Sequence, residues 1–121
     1  MYQLQLQFIA WLTPLFASVR EREARLAREV TDQLDRASLS MLLNTAEGNG
    51  KRQRRVRAKF FDDSRGSAME CAACLDALVV KGLCGQEQVN PGKTLLHRVV
   101  SMLTKLVARF DRDGPEGEER R

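Results

Sequence analysis

Six cationic side chains crowd into residues 51–59, and the chemistry open to them is phosphate binding. They are Lys51, Arg52, Arg54, Arg55, Arg57 and Lys59, and they are called the cationic strip below. Arginine can donate two parallel hydrogen bonds to one phosphate, and a strip of this density could neutralise several phosphates of RNA or DNA. The alternative is a solvated helix face, which is the usual role of a charge run.

The strip contains no aromatic residue on which a base could stack. Proteins that bind single strands without sequence preference combine cations with such aromatic platforms. The sequence therefore favours contacts to the phosphate backbone of a structured RNA or a duplex over recognition of bases.

Three cysteines and one histidine are the candidate metal ligands. Cys71 and Cys74 have the spacing of a metal or redox motif, and Cys84 with His97 would complete a Cys3His zinc site. Both members of the pair fall in the middle of a predicted helix on its core side, where free cysteine acts as a small hydrophobic residue. We therefore predict no metal, no cofactor and no disulfide.

Glu47, Asp63 and Glu70 are the candidates for general acid catalysis. The chain has a single histidine and shows neither a paired carboxylate motif nor a phosphate-binding glycine loop. We therefore predict that the protein is not an enzyme. The three acids and Arg36 are instead expected to form structural polar pairs.

The elements that must position these residues are helices. The chain of 121 residues is rich in Leu, Ala, Arg and Glu and poor in aromatic residues, which favours helices over strands. Four helical segments with short connections predict an all-α, antiparallel up-and-down four-helix bundle over residues 1–110. Residues 111–121 are charged and have nothing to bury, so they are predicted to be a disordered tail.

Glycine and proline indicate the helix ends. Gly48-Asn49-Gly50 predicts the turn between the second and third helices, and Lys81-Gly82 predicts the end of the third. Three points stay open: the first helix starts late or bends at Pro14, the last begins near Gln86 or at Pro91, and the boundary between the first two helices has no marker.

A hairpin about Asn49 would also set the register of the second and third helices. Facing residues would then have numbers that add to about 98, since both helices rise equally per residue. This predicts that Arg36 faces Asp62 and Asp63. It also predicts that Arg28 faces Glu70.

Apolar side chains outside the core stripes predict self-association. Leu39, Leu42 and Leu43 project away from the core stripe of the second helix, so its C-terminal half is apolar nearly all round. Phe61 lies off the predicted core stripe of the third helix, which contains Phe60. A helix that is apolar on several sides must be covered on several sides, and these four residues are the predicted oligomer interface.

Charge and hydropathy indicate the class of partner and the compartment. The net charge of +4 and a pI of about 9.3 describe a basic protein that suits an anionic partner. The sequence shows no secretory signal and no apolar run of membrane-spanning length. We therefore expect a cytoplasmic protein.

The segment Gln33–Arg52, QLDRASLSMLLNTAEGNGKR, is followed by Phe60 and by the run GSAME at Gly66–Glu70. In these residues the chain resembles the four-helix-bundle family encoded in intervening sequences of bacterial 23S rRNA genes. It is similar in the same helices to the accessory variability determinant proteins of diversity-generating retroelements. The resemblance implies a homo-oligomeric ring, a pentamer, with an electropositive surface that contacts RNA or DNA. The alternative is a scaffold or accessory factor that contacts a partner protein, such as a reverse transcriptase, and no nucleic acid.

Overall fold

The computed structural model describes residues 1–22 and 24–111, with the backbone alone for residues 22, 24 and 26. The helices are α1 (Tyr2–Arg22), α2 (Ala24–Gly50), α3 (Arg54–Val80) and α4 (Gln86–Asp111), and the described residues contain no strand. The predicted all-α four-helix bundle is confirmed. Apart from Asp111, which ends α4, the predicted tail lies outside the described residues. None of the helices in the described part of the chain is long and apolar enough to cross a bilayer.

Each helix packs beside its neighbours in the chain, and α4 packs against α1. Contacts between neighbouring helices join rising residue numbers on one helix to falling numbers on the next. The pairs are Gln5–Thr45 and Arg20–Asp32 for α1 and α2, Thr45–Ser64 and Ser40–Ser67 for α2 and α3, and Asp76–Lys93 and Arg65–Thr104 for α3 and α4. This cyclic order puts the α1–α2 face and the α3–α4 face on opposite sides of the bundle.

Large apolar residues spaced three and four apart on each helix meet inside the bundle. The largest that are fully buried are Phe8, Leu12, Leu34, Met41, Phe61, Leu75, Leu78, Leu96 and Leu103. The sequence did not decide whether Pro14 and Pro91 begin or interrupt a helix, and both lie inside helices. Helix α1 starts at Tyr2 and continues through Pro14, so a late start is wrong. Helix α4 starts at Gln86, so the last helix does not begin at Pro91, which lies within it.

The predicted turn at Gly48-Asn49-Gly50 is wrong. All three residues belong to α2, and the connection to α3 consists of residues 51–53. Among the described residues, positive φ occurs only at Gly82. Packing explains the glycine at position 48, because a Cβ there would lie 2.7 Å from Cε1 of Phe61. A glycine that sequence reasoning assigns to a turn is here the site of a close approach between two helices.

The longer α2 changes its register against α3. Glu70 accepts a hydrogen bond from Gln33, so the predicted Arg28–Glu70 pair is wrong. Asp63 lies 3.2 Å from Lys59 and Asp62 lies 2.5 Å from Arg65, so the predicted pairs with Arg36 are wrong too. The cause is the position of the hairpin, which reverses direction at residues 51–53 and not at Asn49.

The core face of α3 contains Phe61 and not Phe60. Phe61 is 1% exposed within the single chain, whereas Phe60 is half-buried and lies outside the core cluster. The remaining core positions of the helix follow at three- and four-residue spacing: Ser64, Ala68, Cys71, Cys74, Leu75 and Leu78. The predicted place of Phe61 in an oligomer interface is therefore wrong, because its own bundle already covers the ring.

A small polar cluster lies fully buried where α1, α2 and α3 meet. Nε2 of Gln5 donates to Oγ1 of Thr45 at 2.8 Å and to Oγ of Ser64 at 3.3 Å. The hydroxyl of Ser64 donates to the carbonyl of Met41 at 2.8 Å. Oε1 of Gln5 has no hydrogen-bond partner among the described residues. Because buried polar groups are costly when they are unpaired, this cluster favours one register of the three helices.

Helix α3 ends where the sequence predicts. Lys81 is the C-cap and Gly82 follows with φ +76°. The amide of Leu83 donates to the carbonyl of Leu78 at 2.9 Å, and that of Gly82 to Val79 at 3.0 Å. These two bonds form a Schellman motif, which satisfies carbonyls that the end of a helix leaves without partners.

Candidate nucleic-acid interface

The cationic strip begins in the connection between α2 and α3 and continues along the first turns of α3. Gln53 is the N-cap, with extended backbone (φ −75°, ψ 131°) and no side-chain capping bond to any described residue. Its carbonyl accepts a hydrogen bond of 2.9 Å from the amide of Arg57. Cations at a helix N-terminus face the positive end of the helix dipole, at a cost of about 0.3–1 kcal/mol each. Helix formation alone therefore does not explain this placement.

Two members of the strip turn inward onto Phe110 near the end of α4. The guanidinium carbons of Arg54 and Arg57 lie 5.0 and 4.2 Å from the ring centroid, and that of Arg109 lies 5.5 Å from it. Arg54 also donates a hydrogen bond to the backbone carbonyl of Arg109. The ring itself packs on Phe61, with centroids 5.8 Å apart. Arg54 and Arg57 therefore join α3 to α4.

The sequence reasoning did not predict the part of Arg109 and Phe110 in this arrangement. The order of the helices indicates that the end of α4 lies beside the start of α3, because neighbouring helices run in opposite directions. The sequence does not indicate the side-chain geometry that brings three guanidinium groups to one ring.

Two further members of the strip, Lys51 and Lys59, flank the half-buried ring of Phe60. Their Nζ atoms lie 5.4 and 5.8 Å from its centroid. Lys51 is 3.4 Å from Glu47, and Lys59 is 3.2 Å from Asp63. Exposed ion pairs of this kind contribute about 0–1 kcal/mol, so a phosphate could compete with either carboxylate.

The last two members, Arg52 and Arg55, point to solvent. Both are exposed, and neither belongs to an ion pair with a described residue. Arg52 lies in the connection and Arg55 at the start of α3. Of the six predicted phosphate contacts, the structure therefore makes these two the most available to an external anion.

The other predicted polar residues, Arg36 and Glu70, are connected through Gln33. Arg36 donates to Oε1 of Gln33 at 2.7 Å, and Nε2 of Gln33 donates to Glu70. This exposed bridge links α2 to α3 at a distance from the strip. It places Arg36 and Glu70 in a structural contact and not beside the other acids.

The cysteines have an environment that disfavours metal binding. Cys71, Cys74 and Cys84 are buried and form no disulfide with a described residue, and His97 is exposed. Burial raises the pKa of the Cys71 thiol well above its ordinary range, and neighbouring Cys74 adds a smaller effect in the same direction. Burial also raises the pKa of Cys74. A metal ligand must be a thiolate, which these surroundings oppose.

The sequence of the chain matches one family model. The model of the 23S rRNA-intervening sequence protein family matches residues 3–105. The chain belongs to this family. No curated protein and no solved structure matches the chain significantly.

The cationic strip and the exposed leucines of α2 both lie within the residues that the family model matches. Arg109 and Phe110 lie beyond the last of these residues. The family match does not test the further similarity to retroelement accessory proteins, which stays a prediction.

Proposed function

We propose that this protein is a non-enzymatic, self-associating member of the 23S rRNA-intervening sequence protein family that binds RNA or DNA through the phosphate backbone. The observation that carries the nucleic-acid part is the pair Arg52 and Arg55, which are exposed and form no ion pair with any described residue. Guanidinium groups in this state can bind phosphate without first losing a carboxylate partner.

Lys51 and Lys59 would add contacts by exchanging Glu47 and Asp63 for phosphates. Arg54 and Arg57 are less suited to direct contact, because they lie against Phe110. A protein with these contacts binds by neutralising phosphates, so its affinity should depend strongly on salt and weakly on sequence.

Fluorescence anisotropy with a labelled RNA hairpin and a DNA duplex, titrated from about 50 mM to about 200 mM salt, tests this proposal. Replacing both Arg52 and Arg55 by alanine should flatten the slope of log K against log salt by about two units, one per lost phosphate contact. Arg28→Ala with Arg98→Ala removes the same charge away from the strip and should leave the slope unchanged. Absent or salt-independent binding would refute this part.

Self-association is supported by an apolar surface on the α1–α2 side. Leu39 and Leu43 are 52% and 53% exposed, and Leu42 is half-buried between them on α2. Tyr2 and Leu6 on α1 are exposed as well. The Gln5–Thr45 contact brings the two groups to the same level of the bundle. Large exposed side chains grouped in this way are typical of protein interfaces.

A second surface on the α3–α4 side offers a complement. A groove of about 360 Å³ is lined there by apolar residues, including Ala72, Ala73 and Val100, and by the polar side chains of Asp76, Lys93 and His97. Met69, which also lines the groove, is 58% exposed. Because the two surfaces lie on opposite sides of the bundle, one copy would contact the next head to tail. Such heterologous contacts form a ring when the rotation closes. The number of five subunits rests on the family resemblance alone.

Sedimentation velocity tests the assembly. Leu39→Glu with Leu43→Glu should give monomers that keep their helical circular dichroism. Met102→Glu, on an exposed residue of α4 outside both surfaces, is the matched control and should assemble normally. A wild-type protein that stays monomeric at every concentration measured would refute self-association.

The alternative function is a scaffold for a partner protein such as a reverse transcriptase. It is favoured by the inward turn of Arg54 and Arg57, which leaves a smaller free cationic surface than the sequence suggests. The binding experiment separates the two functions, since a scaffold would show no salt-dependent affinity for either nucleic acid.

A further inference from the structure

The aromatic ring of Phe60 lies directly beside the cationic strip. Phe60 follows Lys59 in the sequence and is half-buried near the start of α3. Among the described residues it belongs neither to the core cluster nor to the partly buried side chains packed against that cluster, because Phe61 takes the core position next to it. The fold of the single chain therefore leaves part of this ring open to an external partner.

Two ammonium groups flank the ring. Nζ of Lys51 lies 5.4 Å and Nζ of Lys59 lies 5.8 Å from its centroid. Both distances are near the limit of about 6 Å for a cation–π contact, so the ring holds neither amine tightly. The two lysine side chains are 42% and 72% exposed, and each pairs with an exposed acid, Glu47 or Asp63. Both amines can therefore turn to an external phosphate, since exposed ion pairs are weak.

The ring and the amines together match the two parts of a nucleotide. A single apolar side chain at a surface is common and indicates no binding site by itself. Proteins that bind single-stranded nucleic acid combine an aromatic platform for the base with cations for the backbone. Phe60 offers the platform, and Lys51 and Lys59 offer the cations. Arg52 and Arg55 add two exposed cations within a few residues of the ring in the sequence.

We propose that an unpaired base of a nucleic acid stacks on the ring of Phe60 while Lys51 and Lys59 contact the adjacent phosphates. The inference rests on the proposed function and makes it more specific, because it selects single strands and loops over a continuous duplex. In a duplex the neighbouring base pairs cover the faces of each base, so only an unpaired base offers a face to the ring. Every base has such a face, so stacking adds affinity without selecting a sequence.

The position of Phe60 explains why the sequence alone favours a structured RNA or a duplex. Residues 51–59 contain no aromatic residue, and helical spacing assigns Phe60 to the core stripe of α3. In the structure Phe61 is the core residue, and Phe60 lies half-buried beside the lysines. The aromatic residue that the strip lacks in the sequence is therefore present beside it in the folded chain.

Fluorescence anisotropy with a labelled oligothymidylate and a DNA duplex of the same length tests the inference. Phe60→Leu keeps an apolar side chain and removes the flat ring, and its helical circular dichroism should match that of the wild type. The variant should bind oligothymidylate about 5-fold to 150-fold more weakly, which is the effect of losing one stacked base. Its affinity for the duplex and its slope of log K against log salt should stay the same, because the cations remain.

Phe16→Leu is the matched control. Phe16 is also half-buried, and the guanidinium carbon of Arg20 lies 5.4 Å from the centroid of its ring, but this residue lies on α1 outside the strip. The change should alter neither affinity. Phe60→Tyr keeps a ring for stacking and should bind oligothymidylate as tightly as the wild type.

Phe60→Trp gives a direct signal of stacking. The native Trp11 lies against Gly92 near the start of α4, at the opposite end of the bundle from Phe60. Saturating oligothymidylate should therefore quench the added emission of Phe60→Trp and leave the emission of the wild type unchanged. An added emission that oligothymidylate does not alter would overturn the stacking.

The binding results separate this inference from the proposed function. If Phe60→Leu binds oligothymidylate as tightly as the wild type while Arg52→Ala with Arg55→Ala flattens the salt slope, the phosphate contacts stand and the stacking is overturned. An equal loss of affinity for oligothymidylate and for the duplex in Phe60→Leu would also overturn it. If the wild type binds neither nucleic acid, the proposed function and the inference both fail.

Discussion

Trp11 lies close over Gly92, and this contact predicts opposite effects for two glycine-to-alanine changes. A Cβ on Gly92 would lie 2.7 Å from Cε3 of Trp11 and closer still to the next two ring carbons. Carbon atoms prefer about 3.5–4.0 Å, so the indole would have to move by roughly 1 Å or more. A Cβ on Gly66, within α3, would meet nothing within 4 Å.

The magnitudes follow from two opposing terms. Alanine within a helix is favoured over glycine by about 0.5–1 kcal/mol. Overpacking costs about 1–3 kcal/mol in a well-packed interior. We therefore expect Gly66→Ala to stabilise the protein by about 0.5–1 kcal/mol. Gly92→Ala should destabilise it by about 1–2 kcal/mol, because the cost of moving the ring exceeds the gain in helix propensity.

Urea unfolding followed by circular dichroism measures both effects. Trp11 is the only tryptophan, so its fluorescence reports directly on the displaced ring. Its emission should change in folded Gly92→Ala and stay the same in Gly66→Ala. Adding Trp11→Phe, which has a smaller ring, should recover part of the stability lost by Gly92→Ala, as a double-mutant cycle would show.

One result would refute the reasoning. If Gly92→Ala is as stable as Gly66→Ala and leaves the emission of Trp11 unchanged, then the indole does not lie over Gly92. The packing of α1 against α4 would then differ from that described here.

Three further predictions concern other parts of the core. Phe61→Ala should cost about 3–5 kcal/mol in urea unfolding and Phe60→Ala less than half of that, and equal costs would contradict the assignment of Phe61 to the core. Gln5→Met should change stability by less than about 1 kcal/mol, since it removes a buried oxygen that has no partner among the described residues. Thr45→Val should cost about 1–2 kcal/mol, because it takes an acceptor from Gln5, and a large loss in Gln5→Met would contradict the absence of a partner for Oε1. Burial raises the pKa of Cys71 in the folded protein above its ordinary 9.0. The contribution of this thiol to the free energy of unfolding is therefore fully present below pH 9 and decreases above it, by up to about 1.4 kcal/mol per pH unit. Cys71→Ala should therefore lose less stability than the wild type between pH 9 and 10, and parallel losses would refute the assignment.

The exposed leucines of α2 can be predicted from the spacing of apolar residues along the helix. The spacing of Leu39, Leu42 and Leu43 away from the core stripe is enough to predict that they face outward, and Leu39 and Leu43 are more than half exposed. The cationic strip is likewise visible in the sequence as a run of charge. Its division into inward, paired and free members is not, because that division depends on Phe110, Glu47 and Asp63, which contact the strip only in the folded chain.

Phe60 and Phe61 show the limit of predicting core residues from helical periodicity. Both are aromatic neighbours at the start of α3, and one step along a helix turns the side chain by about 100°. A periodic pattern tolerates an error of one position near a helix end, where few apolar residues define the stripe. Contact with Gly48 on one side and Phe110 on the other selects Phe61 for the interior.

By itself the sequence determined the helical class, the place where α3 stops, and the presence of cations and leucines that the core does not use. Composition, spacing and the Lys81-Gly82 stop act over a few residues, so no knowledge of the partner helices is needed. The tertiary structure alone decided that Gly48 is helical, that α2 and α3 reverse direction beyond it, and which cations stay free. These depend on close packing between helices distant in the chain, where a single missing Cβ or one ring determines the register.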